Sequence, residues 1–521
     1  MLWGIPDFQE VLSVKPTIQE ISAFVRENDV KFIRLAFCDL YGVQKNISIL
    51  PSELLRAYHE GIPFDASAIA GFTDVTESDL FLVPELSTLS ALPWRPQHGG
   101  VIRFYCDIKR PDGSIFESDT RATLKRVVEE CRSMDYACRM GTECEFYLFK
   151  TDENGAPTAI PLDGGSYCDV APLDKGENVR REICLCLEEM GITPETSHHE
   201  VGSGQNEIDF KTAEPLAAAE NLLTFQTVVR NISARNGLSA CFLPKPLPDQ
   251  SSSGMHVNLT LLREGQNLFA SRSEASRQFM AGILHRSAEM TAFLNPIANS
   301  YDRLGSNHAP LYISWSPQNR SQLIRLPAAT GDKVQMQLRS PDPMVNPYLA
   351  FSLILAAGLE GIRDRRELAP PLNENLYLAP PSVTDKLEKL PTSLREALSI
   401  AEQSDFVHRY WGRRSAPTTL PGSGTSYKAI HAECSTWNNM LVERREPHGA
   451  GTHHLLNRKE RCLFPGYAGA CGDPGSDGGF LRRRGTAPDA GVRIRHLRHQ
   501  RPSAGRIWGE PELQHCPAHH Q

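Results

Sequence analysis

The chain has 521 residues, 40% of them apolar, a formal net charge of -7 and 13 cysteines. This is enough apolar sequence for two or three domains with their own cores, and the net negative charge argues against nonspecific binding to nucleic acid, for which no reading motif is present. The odd, scattered cysteines form no CxxC pair and follow no secretory signal, which reads as reduced thiols in a cytoplasm; the longest apolar run, Leu349 to Leu359, is too short to span a bilayer, so no membrane segment is expected.

In chain order, Val30 to Leu50 alternates apolar and polar residues around a turn at Leu40-Tyr41-Gly42, predicting a β-hairpin. A short helix should follow from Pro51 to Glu60, opened by its proline and closed near Gly61. Strand and turn signals return over 64–72, 77–94 and 101–116, so residues 1–110 read as a small sheet-rich domain. A helix from Asp119 to Met134 leads into a second domain, 111–446. Here Gly141 to Lys150, His198 to Phe210 and Gly254 to Leu262 read as strands, with helices expected over Arg180 to Met190, Ala213 to Asn236 and Ser273 to Leu294. Polar strands backed by helices predict an α+β domain whose sheet floors a site. After Glu446 hydrophobic periodicity disappears, and 447–521 reads as a disordered extension or a frameshifted terminus.

Chemistry concentrates in three strand-like stretches and one loop region. Glu143 and Glu145 stand two apart on a strand and therefore share a face. Glu200 and Glu207 follow in a glycine-rich His-His-Glu stretch, and His256 sits on another strand. Carboxylates with one imidazole suit Mg²⁺ or Mn²⁺. Between Asn295 and Gly361 lie Arg303, Arg320, Arg325 and Arg339, among Asn, Ser and Pro. Guanidinium groups in that setting point to anion recognition. Cations on one side of an anion and arginines on the other are what phosphoryl transfer requires.

The motifs GTECEFYLF, HHEVGSGQNEI, SSSGMHVNLTL, NPIANSYDRL, APLYISWSPQNRSQLIRLP and RSPDPMVNPYLAF, in this order, resemble the glutamine synthetases of the bacterial type I class, and FDASAIAGF and ESDLFLVPELSTL match their N-terminal part. The resemblance spans about 25 to 410. It implies an α+β fold with an N-terminal β-grasp domain and a catalytic domain built on a curved antiparallel sheet, in a homo-oligomer, usually a dodecamer. It also implies ATP-dependent joining of ammonia to the γ-carboxylate of glutamate through γ-glutamyl phosphate. By motif, Glu145, Glu200 and Glu207 would hold the metal nearer glutamate, and Glu143, His256 and Gln337 the metal between the ATP phosphates. Arg320 and Arg339 would grip the transferring phosphate and glutamate. Ser252, Gly254 and Arg303 would line the glutamate pocket, with Arg303 on the α-carboxylate. Glu195, Asn258, Thr260 and Arg325 would contact ATP. Asp65, from a neighbouring subunit, would help bind and deprotonate ammonium, and Tyr377 matches a site of regulatory adenylylation.

The sequence departs from that pattern at three places. His308 stands where ammonium users carry a pocket Glu, Gln337 where they carry a metal-binding Glu, and Gln335 where they carry an Arg beside the nucleotide. Three functions fit these residues: a glutamine-forming ligase, a γ-glutamyl ligase for an organic amine, and an impaired ATP- or glutamate-binding regulator.

Overall fold

The computed structural model describes residues 16–69, 71–94, 99–306 and 308–411; the stretch 447–521, expected to be disordered or frameshifted, lies outside the described residues. Helix α1 (Ile18–Glu27) opens on a reciprocal cap between Thr17 and Glu20 and buries Ile18, Ile21 and Val25. The expected hairpin forms from β1 (Val30–Cys38) and β2 (Gln44–Ile49), with Ile33 opposite Ile49. Helix α2 (Leu54–His59), β3 (Ile62–Asp65), β4 (Asp79–Pro84), β5 (Ser90–Ala91) and β6 (Gly100–Lys109) complete the first sheet. Its order is β2-β1-β6-β4-β3, with β5 on β6 and a parallel β1–β6 pair at the centre. Ile33, Leu35, Leu80, Leu82, Phe104 and Ile108 form its core.

The second sheet is built on β7 (Ala137–Thr151), long enough to pair with four neighbours. The elements around it are α3 (Thr120–Ser133), β8 (Pro157–Pro161), α4 (Glu177–Glu189), β9 (Pro194–His199), β10 (Gln205–Phe210), α5 (Pro215–Arg235), β11 (Leu238–Cys241), β12 (Met255–Arg263), β13 (Gln266–Asn267), α6 (Glu274–Leu294), β14 (Trp315–Pro317), β15 (Ile324–Leu326), β16 (Met336–Leu338) and α7 (Pro347–Arg363). The strand order is β14-β15-β16-β12-β7-β10-β9. Two expectations need correction. His198 to Phe210 is a hairpin, β9 and β10, because Gly202 and Gly204 turn the chain over residues 200–204. The sheet is also not wholly antiparallel, since β14 and β15 pair in parallel.

A seam of buried polar contacts fixes the two sheets to each other. Arg121 on α3 donates to Asp107 on β6 and, at 2.9 Å, to Glu220 on α5. Asn346 caps α7 and sends its side-chain amide to the carbonyls of Asp39 and Leu40 in the first hairpin. Gly42 closes that hairpin at φ +80°, where a Cβ would stand 2.7 Å from the Val345 carbonyl, so both conformation and contact require glycine.

Candidate active site

Alternation along the strands sorts the second sheet into a core face and a polar face. On β7, Met140, Cys144, Phe146 and Leu148 enter the main core, which leaves Glu143 and Glu145 on the other side. On β12, Met255, Val257, Leu259 and Leu261 do the same, leaving His256, Asn258 and Thr260. On β10, Ile208 and Phe210 are core residues, and Gln205, Glu207 and Asp209 alternate with them. Cross-strand register then sets Glu143 opposite His256 and Asp209, Glu145 opposite Glu207, and Glu207 opposite His198. Cross-strand partners share a face, so the carboxylates and the imidazole meet.

The hydrogen bonds define what each group can do. Glu145 Oε2 accepts from the Gly254 N–H at 2.9 Å and from Gln205 Nε2 at 3.0 Å. Burial, and then the charge of Glu200, raises the Glu145 carboxyl to about 8. Glu207 is raised well above the usual range by burial and by Glu145. Both shifts mark buried carboxyls pressed together, which the charges of Arg303 and Arg339 offset only in part at Glu145. Glu143 is different. Burial opposes its charge, but the hydrogen bond and charge of His256, then Asn258 and Arg325, hold it down to about 2. Burial and the Arg339 charge depress His256 to about 4, so the ring is neutral near pH 7. Its Nδ1 stands 3.0 Å from Glu143 Oε2, where it donates, which leaves the Nε2 lone pair open. Gly254 keeps that space clear, because a Cβ there would lie 3.2 Å from Nε2 and 2.7 Å from Arg303 Nη2.

Opposite charges are crowded too. Arg339 and Arg303 are almost wholly buried. Arg303 gives its terminal nitrogens to the carbonyls of Ser340 and Arg339, at 2.5 and 3.0 Å. Arg339 Nε and Nη1 and Arg303 Nε find no hydrogen-bond partner among the described residues. Buried donors of this kind call for an acceptor from outside the chain. Burial, then Arg320 and Arg339, lowers Arg325 to about 10, which places three guanidinium groups within one another's fields. Half-buried Tyr377 lies beside Arg339 and Arg303, and its hydroxyl donates to the Arg320 carbonyl at 3.1 Å.

Not every expected residue joins this cluster. Asp65 is exposed at the end of β3 in the first sheet, where it accepts from Ser67, and Glu195 is exposed on β9. Ser252 is buried; its carbonyl accepts from Gln205 and its hydroxyl lies 3.4 Å from that of Ser306. His308 is exposed at φ 72°, and its carbonyl accepts from Arg339 Nη2. Gln337, expected as a metal ligand, is buried beside Glu143. Its amide oxygen is taken by Arg325 at 3.1 Å, and its amide nitrogen donates to Glu143 at 2.7 Å, so it bridges the two. Asn258 likewise donates to Glu143, at 2.9 Å. Sequence reasoning missed His198 and Asp209, which group with Glu207 closely enough to hold a cation. The alternation in QNEIDF carried that signal, since Asp209 has the same parity as Glu207.

The donor set fits hard divalent cations: Glu145, Glu200 and Glu207 crowd into one region, and beside them Glu143 stands with a neutral imidazole whose second nitrogen is open. A second grouping, Asp163, Asp174 and His199, is already satisfied internally, with Asp174 bound to Arg180 and Asp163 to His199. Two family models match the chain, the glutamine synthetase β-grasp domain over 29–111 and the glutamine synthetase catalytic domain over 117–420. The chain is 41% identical to a glutamine synthetase of Clostridium saccharobutylicum over 432 residues, covering 81% of this chain and 98% of that one. It is 43% identical over 409 residues to one from Methanosarcina mazei, covering 76% and 91%. Among solved structures it resembles a GmaS/ADP complex with a TM-score of 0.71 at 28% identity, covering 81% of this chain and 98% of that one. A Plasmodium falciparum glutamine synthetase shares the fold, with a TM-score of 0.69 at 22% identity over 81% and 97%. With both domain models in sequence order and relatives of this identity matched along nearly their whole length, the chain belongs to the glutamine synthetase family.

Proposed function

We propose that this protein is an ATP-dependent ligase that joins ammonia to the γ-carboxylate of L-glutamate, giving glutamine, ADP and phosphate. The observation that carries the reading is the pairing of crowded carboxylates with buried arginine donors that have no partner among the described residues, because an anion transferred between them satisfies both. Glu145, Glu200 and Glu207 would hold one Mg²⁺ or Mn²⁺, and Glu143 with His256 another. Bound there, the ions would neutralise ATP phosphate charge.

The remaining work falls to the protein's own groups. Arg339, with Arg320 and Arg325, would bind the transferring phosphoryl group as the glutamate γ-carboxylate attacks it and ADP leaves. Arg303, fixed by two backbone carbonyls, would hold the amino acid's own carboxylate with its Nε. Ammonia then displaces phosphate from γ-glutamyl phosphate, and burial of the site keeps water from doing so. Asp65, exposed on the first sheet, would act in a neighbouring subunit's site, in a homo-oligomer expected to be a dodecamer located in the cytoplasm. Among the described residues, no helix is long and apolar enough to cross a membrane.

The test is glutamate- and ammonium-dependent phosphate release from ATP, with glutamine measured directly, for the parent and for Glu145→Ala. The parent should form glutamine and the variant almost none. Normal turnover by Glu145→Ala would refute the site, and absence of glutamine from the parent under Mg²⁺ and Mn²⁺ would refute the activity.

A further inference from the structure

Behind the polar face of β9, a second set of polar groups is sealed from solvent. His199 is completely buried, and it alternates with His198 along the strand. Its Nδ1 lies 2.6 Å from the carbonyl oxygen of Glu200, and its Nε2 lies 2.9 Å from Asp163 Oδ1. Asp163 also accepts the backbone N–H groups of Gly165 at 3.2 Å, Gly204 at 3.0 Å and Lys175 at 2.8 Å. Burial works against the Asp163 charge, yet the His199 bond and the backbone donors hold it down to about 2, so it is a carboxylate. A carbonyl oxygen and a carboxylate can only accept. Both ring nitrogens of His199 therefore donate.

These partners are specific. Glu200 and Gly204 are the two ends of the turn that joins β9 to β10, and Asp163 reaches Gly204 directly and Glu200 through His199. The turn needs such a tie, because two of its five residues, Gly202 and Gly204, are glycines and add conformational freedom. Space for the ring is reserved on the opposite side, where a Cβ on Gly165 would stand 2.8 Å from His199 Nε2. A buried ion pair is a costly way to fill a core, and apolar residues of the same volume are commonly as stable or more so. Here two of the bonds, His199 Nδ1 to the Glu200 carbonyl and the Gly204 N–H to Asp163, end on the backbone of the segment that carries Glu200, while Gly165 and Lys175 hold Asp163 from the other side.

We propose that His199, backed by Asp163, is a positioning residue for Glu200: it fixes the turn so that the Glu200 carboxylate enters the cluster beside Glu145 and Glu207. The inference rests on the reading that these three carboxylates hold a cation. Outer partners of this kind typically change metal affinity by about 10- to 100-fold when removed.

The experiment is titration of the metal-stripped, full-length protein with Mn²⁺, reading free ion by electron paramagnetic resonance. The variants are His199→Leu, His199→Asn, Asp163→Asn and Glu145→Gln. His199→Leu removes both bonds and should weaken binding by about 10- to 100-fold. His199→Asn should recover much of that loss, because its amide nitrogen takes the place of Nδ1 and can still donate to the Glu200 carbonyl. Asp163→Asn, which keeps an acceptor oxygen but removes the counter-charge, should weaken binding in the same direction, and it carries the test if His199→Leu does not fold. Parent-like binding by folded His199→Leu, or by Asp163→Asn, overturns the proposal. So does an Asn variant no better than the Leu variant. Glu145→Gln separates the two levels: if it loses binding while the His199 variants keep it, the positioning role alone is wrong, and if it too binds like the parent, the cation reading has failed.

Discussion

Gln337→Glu should tighten metal binding and shift the preference toward Mg²⁺. In the parent, Gln337 bridges Glu143 and Arg325, so Glu143 is the one formal negative charge in the set Glu143, His256 and Gln337. A carboxylate at 337 places a second charge beside it. At an effective dielectric near 20, unit charges about 4 Å apart interact by ~4 kcal/mol. The new charge then attracts a divalent cation by ~8 kcal/mol and repels Glu143 by ~4 kcal/mol. Repulsion present with and without the cation cancels, and displacing a proton that relieves it in the metal-free site costs at most those ~4 kcal/mol, so the Coulombic gain is at least ~4 kcal/mol. Loss of the amide bridge to Arg325 and its replacement by an ion pair take back part of this gain. Retention of only half of that ~4 kcal/mol, roughly 2 kcal/mol, corresponds to about 30-fold tighter binding. Calorimetric titration with each metal, alongside the concentration giving half-maximal glutamine formation, measures this. The parent should work better with Mn²⁺, which tolerates an imidazole and a weaker oxygen set. If Gln337→Glu binds Mg²⁺ no more tightly than the parent, or if the parent already works equally well with both metals, the charge argument is wrong.

The raised carboxyls predict a pH dependence. Because burial and Glu200 raise Glu145 to about 8, near neutral pH the metal-free site holds a proton that the unfolded chain has released. The folded state therefore binds more protons across that window, and metal-free stability should fall as pH rises from the ordinary Glu value toward about 8. Bound cation should abolish the slope, and its uptake should release protons; calorimetry in buffers of different ionisation enthalpy would expose a binding step that releases none. Gly254→Ala should fold but lose at least about tenfold in activity, since the added methyl collides with Arg303 and crowds His256 Nε2; near-parental turnover would contradict the assigned role of that space. Asp65→Ala and Arg339→Ala, each inactive alone, should regain activity when co-assembled if Asp65 serves a neighbour's site. Failure of mixed oligomers to recover any turnover would place Asp65 elsewhere.

How much could be read beforehand depended on whether a feature is local. Glu143 and Glu145 were legible as a pair because a strand has a period of two, and the first hairpin because its alternation breaks at Gly42. The β9–β10 hairpin was not, because β9, PETSHH, carries no apolar alternation and only β10 alternates, at Ile208 and Phe210. Strands β14, β15 and β16 are three residues long and take their form from pairing with one another and with β12, a long-range fact no short window contains. The same holds for the arginines. Their number suggested an anion, but the burial of Arg303 and Arg339 without partners for every donor among the described residues comes from tertiary packing. At Gln337 the sequence disclosed a missing charge, and the structure alone disclosed that the amide is turned toward Arg325.

The sorting of charge into a crowded acidic set and a crowded basic set has a consequence for how long such a molecule lasts. Each set repels itself, so the ligand-free fold is held in a state that its own substrates relax, and every bound ion or nucleotide adds stability by mass action. Substitutions that neutralise the crowding, such as Glu145→Gln, would then make a sturdier but inert protein, an opposition between durability and chemistry placed at these few positions. In a cell, depletion of nucleotide or divalent metal would leave this chain at its most fragile, so its abundance would follow the supply of the compounds it consumes.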